Sequence, residues 1–389
     1  MENFDFSLSV QILFGKDRIE ELPSAIAHYG KRVLFTYGGG SIKRMGLYDK
    51  VKSLLQDCEV YELSGIAPNP KIDSVREGVK LCREHNIDVI LAVGGGSVID
   101  CSKAIAAAYY YEGDAWEMIA EGKPIEKALP IVTVLTLSAT GSEADAGAVI
   151  SNPQTNEKLS LNSPALMPKV SIMDPTYTFT VPANQTAAGC ADIMSHLMEQ
   201  YFVPASTYMG DLLVEAVMKT IIKYAPVAVN EPDNYEARAQ IMWGSSIGDN
   251  ATLCCGNQLA AFGVHGMEHE LSAHYDITHG VGLAILTPAW MRHVMKKAPE
   301  VTIPRFAHFA KAVWGIEGED ENALAYQAVE ALQNFFKSLN IPSKLSQVGI
   351  ADGSKFEEMA EHAVRKEGLE YAWIPLNRED VVEIFESCK

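Results

Sequence analysis

Asp88-Val-Ile-Leu-Ala-Val-Gly-Gly-Gly-Ser97 runs from an apolar, β-branched stretch into three glycines and a serine, and a helical pattern follows from Ser97 to Tyr109. Glycines at a strand end let the backbone come close to an anion, and the free N–H groups of the helix start point toward it. A second stretch repeats the arrangement: Arg32–Tyr37 reads as a strand and ends in Gly38-Gly39-Gly40-Ser41. Neither loop matches GxGxxG, so the ordinary dinucleotide fingerprint is absent. The plain alternative is a pair of tight turns with no ligand. Two such loops at strand tips favour a pyrophosphate.

Outward from these loops the first half keeps alternating. Glu59–Leu63 and Ile131–Thr136 are further strand candidates, and Asp73–His85 reads as an amphipathic helix. Strand–helix–strand alternation implies a parallel sheet covered by helices on both faces. After about Pro182 strand-like runs become scarce. Leu213, Ala216, Val217 and Ile221 fall at helical spacing, and Leu324, Ala328, Leu332, Phe335, Phe336 and Leu339 keep one stripe. Asn377, with Glu379 and Asp380 after it, marks a helix start leading into Val381–Phe385. The expectation is an α/β domain over 1–182 and an all-helical domain over 183–389.

A chain of 389 residues suits two domains, since single cores rarely grow beyond about 250–300 residues. The net charge of −18 repels phosphate backbones and anionic lipid, which makes nucleic acid and membrane surfaces poor partners, and its plainest reading is solubility alone. No apolar stretch approaches the ~20 residues a membrane span needs. The first residues, Met1-Glu-Asn-Phe-Asp-Phe, are acidic where a secretory signal is basic and then apolar. The seven cysteines show no CxxC spacing and read as reduced thiols of a cytoplasmic protein.

The first loop bears on the nucleotide. NAD sites often place a carboxylate after a strand to accept the ribose 2′-hydroxyl. Here three glycines and Ser41 stand there, followed by Lys43 and Arg44. Nothing at these positions repels a 2′-phosphate, so NADP(H) is expected ahead of NAD(H).

The second half carries a metal constellation. Asp192 and His196 are i, i+4 neighbours on one helix face and can grip one cation. Four of the ten histidines crowd into His265–His279, at positions 265, 269, 274 and 279. His265 and His279 would be ~21 Å apart on one straight helix, so they share a metal only if the chain turns between them. Tyr275–Thr278 is the candidate break, with Gly280 and Gly282 allowing close packing beyond it. Spacing does not decide between His265 and His269 as the ligand, and His274 has no spacing argument in its favour.

Together these stretches resemble the iron-containing (group III) alcohol dehydrogenases, especially their butanol dehydrogenase-like branch. The resemblance runs through Tyr37–Lys43, Pro68-Asn-Pro70, Gly94–Asp100, Ala139-Thr-Gly-Ser-Glu143, Asp174-Pro-Thr-Tyr177, Asp192–His196, His265–Leu271 and His279-Gly280. It implies a dehydroquinate synthase-like fold: an α/β nucleotide-binding domain with a parallel sheet, an all-α domain, and an active site in the cleft between them. It implies Asp192, His196, His265 and His279 as ligands of one divalent metal, Fe²⁺ or Zn²⁺, with His269 as a proton relay near the substrate. Gly94, Gly95, Gly96 and Ser97 would hold the pyrophosphate, and Gly38, Gly39, Gly40 and Ser41 the adenosine ribose, with Asn69 beside it. Thr136, Ser138 and Thr140 would line the nicotinamide side, and Lys158 and Tyr177 would touch the ribose or the cofactor's middle. Asp100 would orient the pyrophosphate loop or cap its helix.

The implied reaction interconverts small primary alcohols and aldehydes by hydride transfer with NADP(H), in a homodimer. Glycerol dehydrogenase-like polyol oxidation and a dehydroquinate synthase-like lyase are the alternatives. The lyases handle acidic, phosphorylated substrates, yet Cys190–Met218 and Ala251–Trp290 contain no Lys or Arg. A neutral substrate fits better. Two positions depart from the family's pattern: His274 stands where relatives more often carry an apolar or aromatic residue, and Cys190 lies close enough to Asp192 to raise oxidation sensitivity.

Overall fold

The glycine loops emerge from two neighbouring strands of a parallel sheet in a computed structural model that describes residues 1–389. The strands are β1 (Gln11–Phe14), β2 (Arg32–Tyr37), β3 (Glu59–Leu63), β4 (Val89–Gly94), β5 (Ile131–Leu135), β6 (Gly147–Asn152), β7 (Glu157–Asn162) and β8 (Val170–Met173). Six form one sheet in the order β1-β8-β5-β4-β2-β3, all pairs parallel, and β6 and β7 make a separate antiparallel hairpin. From β2 the chain steps outward to β3, then returns to lay β4 on the other side of β2. The strand order reverses there, and ligands of open α/β sheets bind outside the carboxyl ends of strands at such a point.

The helices of this unit are α1 (Leu22–Ala27), α2 (Ser41–Arg44), α3 (Leu47–Leu54), α4 (Ile72–His85), α5 (Gly96–Ala108) and α6 (Ala115–Ala120). The apolar run of β4 serves both faces of the sheet. Ile90 and Ala92 join the core under α4 and α5, while Val89, Leu91 and Val93 join the opposite core under α1 and α3. At Gly78 a Cβ would lie 2.3 Å from Ile105 Cδ1, so only glycine lets α4 pack this closely on α5.

From Ala183 onward the chain is helical: α7 (Ala183–Tyr201), α8 (Tyr208–Asn230), α9 (Tyr235–Gly248), α10 (Gly263–Tyr275), α11 (His279–Lys297), α12 (Pro299–Ala312), α13 (Glu321–Ser338), α14 (Phe356–Lys366) and α15 (Arg378–Ser387). Side-chain caps fix several starts: Thr207 Oγ1 accepts from Gly210 N at 3.0 Å, and Asn377 and Asp380 form the capping box that opens α15. The α13 stripe is buried along its whole length. The α8 stripe is a correction. Leu213 and Ala216 face solvent, and Val214, Val217, Met218, Ile221 and Ala225 form the buried face, because Leu212 and Leu213 widen the apolar arc and blur its phase.

The boundary is not a single cut near 182. One compact unit comprises Ser7–Val181 together with Pro232–Asn250, and the other Met1–Phe6, Pro182–Glu231 and Ala251–Lys389. The excursion has a cause in its side chains. On α9, Trp243 packs edge-on against Phe14 with ring centroids 6.1 Å apart, and Ser246 donates to the buried Glu143 carboxylate. Met1–Phe6 belongs with the helices, where Glu2 N donates to Gly256 O at 2.8 Å. No helix is long and apolar enough to cross a membrane. All seven cysteines are free thiols, and Cys190 is fully buried within α7, which shields it from oxidants.

Candidate functional site

In the helical unit one carboxylate oxygen gathers three imidazoles. Helix α7 places Asp192 and His196 one turn apart, and Asp192 Oδ1 lies 3.9 Å from His196 Nε2. Helix α10 brings His265 Nε2 to 3.7 Å from the same oxygen, and α11 brings His279 Nε2 to 3.5 Å. The turn expected between the last two is present: α10 ends at Tyr275, Asp276 takes a left-handed φ of 51°, and α11 starts at His279 itself. Gly280 makes the approach possible, since a Cβ there would lie 2.0 Å from the carbonyl oxygen of Ala188 on α7. Gly282 does the same against α10, where a Cβ would meet Glu268 Cγ at 2.8 Å.

These separations are too long for hydrogen bonds. They are close to those of atoms sharing one cation, since ligands ~2.0–2.1 Å from a tetrahedral ion sit about 3.3 Å apart. Asp192 Oδ1 and His265 Nε2 are buried without any hydrogen-bond partner, an expensive state that a cation between them would relieve. The donor set of one carboxylate and three imidazoles suits Fe²⁺ or Zn²⁺.

Two glutamates that the sequence reading missed hold the imidazoles from behind. His265 Nδ1 pairs with Glu199 Oε2, whose other oxygen accepts from Val264 N at 2.8 Å and His265 N at 3.2 Å. Burial alone would raise the Glu199 pKa, but His265 and the two backbone donors hold it below the usual carboxylate value. An ionised carboxylate only accepts, so His265 donates from Nδ1 to Glu199. Burial opposes its charged form, but Glu199 and Asp192 push its pKa up to about 10, and a cation at Nε2 would take the place of the second proton. His279 Nδ1 pairs in the same way with Glu268 Oε2, and Ser272 Oγ donates to Glu268 Oε1 at 2.5 Å. Burial likewise opposes ionisation of Asp192, and the imidazoles of His196, His279 and His265 outweigh it, so its carboxyl stays below the usual range. The signal for both glutamates was a carboxylate three residues after a ligand on the same helix. His269 borders the group, its ring centroid 5.9 Å from that of His279, and its Nδ1 lies 3.3 Å from Glu367 Oε2.

In the α/β unit, Gly94 closes β4, Gly95 precedes α5, and no side chain caps this helix start. A segment from β5 lies against the loop: Thr136 N donates to Gly94 O at 2.9 Å, and a Cβ on Gly96 would lie 2.4 Å from Thr140 Oγ1. Ser138 Oγ, between these threonines, is buried without a partner. Gly38 is close to α5 as well, since its Cβ would come within 3.8 Å of Val98 Cγ2. Gly40 has a φ of 109°, a conformation that glycine adopts without strain, and it turns the chain into Ser41. The exposed Lys43 ammonium lies over the rings of Tyr37 and Tyr48, at 5.2 and 4.7 Å. Glu62 on β3 is occupied by Tyr37, Tyr48 and Lys52.

The hairpin joins Lys158 to the Asn69 segment. Ser151 pairs with Lys158 across it, and Ser151 N donates to Pro70 O at 2.9 Å. Tyr177 lies just beyond β8, packed on the core under α1 and α3, where burial raises its pKa. Asp100 does not cap α5. Its oxygens accept from Ser142 Oγ at 2.6 Å and Val149 N at 3.0 Å, and burial pushes its pKa up to about 6 against the pull of Lys103. It therefore ties α5 to the Ser142 loop and to β6.

Similarity to known proteins agrees with this geometry. A model of the iron-containing alcohol dehydrogenases matches residues 9–175, and one of the C-terminal part of the Fe-containing alcohol dehydrogenase family matches residues 186–388. The chain is 50% identical to NADH-dependent butanol dehydrogenase A of Clostridium acetobutylicum, over 99% of each protein. It is 38% identical to the NADPH-dependent aldehyde reductase YqhD of Escherichia coli, over 95% of each. The crystal structure of NADH-dependent butanol dehydrogenase A from Thermotoga maritima matches with a TM-score of 0.94 at 41% identity, over 100% of this chain and 99% of that one. By its two matching halves and its full-length relatives, the chain belongs to the iron-containing alcohol dehydrogenase family.

Proposed function

We propose that this chain interconverts small primary alcohols and aldehydes with a nicotinamide dinucleotide, and that Asp192, His196, His265 and His279 hold one divalent cation. The observation that carries the reading is the convergence of three Nε2 atoms on Asp192 Oδ1, with two of the rings fixed from behind by Glu199 and Glu268. Family membership and the butanol dehydrogenase and aldehyde reductase relatives support the reaction class. When bound, the cation would polarise the carbonyl oxygen as a Lewis acid and the nicotinamide would carry the hydride.

The chain's own residues orient and protonate. Asp192 supplies one negative charge and neutral imidazoles none, which leaves a divalent site net positive toward an oxygen ligand. His269, held beside the cluster near Glu367, relays a proton to the substrate oxygen. The absence of Lys and Arg from Cys190–Met218 and Ala251–Trp290 supports a neutral substrate. Gly94–Ser97 carry the pyrophosphate and Gly38–Ser41 the adenosine ribose. Asn69 and Lys158, Thr136, Ser138 and Thr140, and Tyr177 are the further cofactor contacts.

NADP(H) is the proposed cofactor, supported by the missing carboxylate after β2 and by the engagement of Glu62 elsewhere. NAD(H) is the second reading, favoured by the name of the 50% identical relative. The test is oxidation of NADPH and NADH with butanal, on enzyme stripped by chelator and resupplied with Fe²⁺ or Zn²⁺. Turnover that returns with metal and prefers NADPH is expected. Equal or faster turnover with NADH transfers the cofactor assignment to NAD(H), and turnover unaffected by stripping overturns the metal role.

A further inference from the structure

Next to the Asp192 cluster, on a different face of α10, a second group of ligand-type side chains has the same construction. Glu270 and His274 lie i, i+4 on α10, and α14 contributes His362. Both imidazoles address a single oxygen: Glu270 Oε2 is 3.6 Å from His274 Nε2 and 3.5 Å from His362 Nδ1. One ligand atom from each residue lies within 4.8 Å of the other two. The helices are held close by Gly266, where a Cβ would meet Glu367 Cβ at 2.8 Å.

The hydrogen-bonding account of these atoms does not close. Glu270 Oε2, both ring nitrogens of His274, and His362 Nδ1 are buried and have no partner. The His274 side chain is 2% exposed and that of Glu270 6%. A carboxylate and two imidazoles facing one another across 3.5–3.6 Å are too far apart to hydrogen bond. That spacing is near the ~3.3 Å between ligands of one tetrahedral ion.

We infer that Glu270, His274 and His362 form a second divalent-cation site, of the borderline class that Zn²⁺ represents, clamping α14 to α10. One carboxylate and two imidazoles leave a coordination position for water, which reaches the site on the partly exposed His362 side. The clamp acts just before Glu367, the residue that follows α14 and whose carboxylate lies beside His269.

The test counts zinc per chain after equilibration of the full-length protein with a buffered Zn²⁺ solution, in wild type, His274→Phe and His362→Gln. Each variant is expected to lose one equivalent relative to wild type while still reducing butanal. The difference is read whether or not the Asp192 site fills, so it stands apart from the function proposed above. Equal zinc in all three proteins overturns the inference. Should a variant misfold, wild-type crystals equilibrated with Zn²⁺ and measured at the zinc absorption edge decide the matter. An anomalous peak ~2.0–2.2 Å from Glu270 Oε2 and the two ring nitrogens supports the site. Density without anomalous signal, as a bridging water would give, overturns it.

Discussion

Glu199 is the residue on which the geometry of the Asp192 cluster turns most. It takes the Nδ1 proton of His265 on one oxygen and two backbone N–H groups on the other, so a single side chain fixes both the ring and the start of α10. Replacement by Gln keeps the shape but removes the charge that favours the Nδ1–H tautomer. Outer partners of metal-bound histidines are commonly worth ~10–100-fold in metal affinity. Glu199→Gln is therefore expected to weaken metal binding by about that factor, with turnover recovering as Fe²⁺ or Zn²⁺ is raised. A metal titration of both proteins checks it, and unchanged affinity would remove Glu199 from the site. At this scale the sequence was partly legible. Asp192 and His196 stood out because i, i+4 spacing is a local fact of helices. Glu199 and Glu268 did not, because carboxylates are common on helices and only the packing of α7, α10 and α11 tells these two from the rest.

At the scale of elements, close approach is governed by absent side chains. The carbonyl oxygen of Ala188 occupies the space a Cβ on Gly280 would need, and that contact is backbone, so no rotamer change can relieve it. Gly280→Ala must move α11 away from α7 and carry His279 with it. The expected result is a loss of about 1–3 kcal/mol in stability, as for other overpacked sites, together with lower metal content. Thermal unfolding and metal analysis measure the two, and a variant with unchanged metal content would show that α11 can shift without disturbing His279. The strands show where sequence patterns run out. β2 and β3 begin and end where their apolar runs do, β4 is displaced by one residue at each end from the run Asp88–Val93, and β5 stops one residue before Thr136. β1 and β8 escaped notice because Gln11–Phe14 and Val170–Met173 are four residues each, too short to display a period. The β6–β7 hairpin was hidden by its polar composition, including the buried Lys158. The buried face of α8 was misread for the opposite reason: too many apolar residues, not too few.

The chain as a whole divides its proposed chemistry between two compact units. Helix α9 returns to the α/β unit, anchored by Ser246 on Glu143, and this anchor titrates. Burial pushes the Glu143 carboxyl up to about 7 in the fold, against the ordinary 4.5 of the unfolded chain. Between those values the folded state holds the proton and the unfolded state does not, so stability falls as pH rises from about 4.5 to 7. Glu143→Gln is expected to flatten that part of the stability–pH curve, by up to about 3 kcal/mol at neutral pH. Denaturant unfolding at several pH values reads it, and parallel curves for the two proteins would assign the dependence elsewhere. The sharper division is between metal and nucleotide. The proposed ligands all lie in the helical unit and the proposed phosphate loops all lie in the α/β unit. Removal of the cation by chelator should abolish butanal reduction yet leave NADPH binding, followed by its fluorescence, within about twofold of its original affinity, since no bound phosphate depends on the missing ion. Gly96→Ala should do the reverse. Its Cβ would press 2.4 Å from Thr140 Oγ1 and 2.7 Å from Thr140 Cγ2, closing the loop where a pyrophosphate would approach the α5 N-terminus. NADPH affinity should then fall at least tenfold, which is about 1.4 kcal/mol, with metal content unchanged. If chelation abolished nucleotide binding, or Gly96→Ala emptied the Asp192 cluster, the two sites would be coupled through the chain and the assignment of one ligand to each unit would fail.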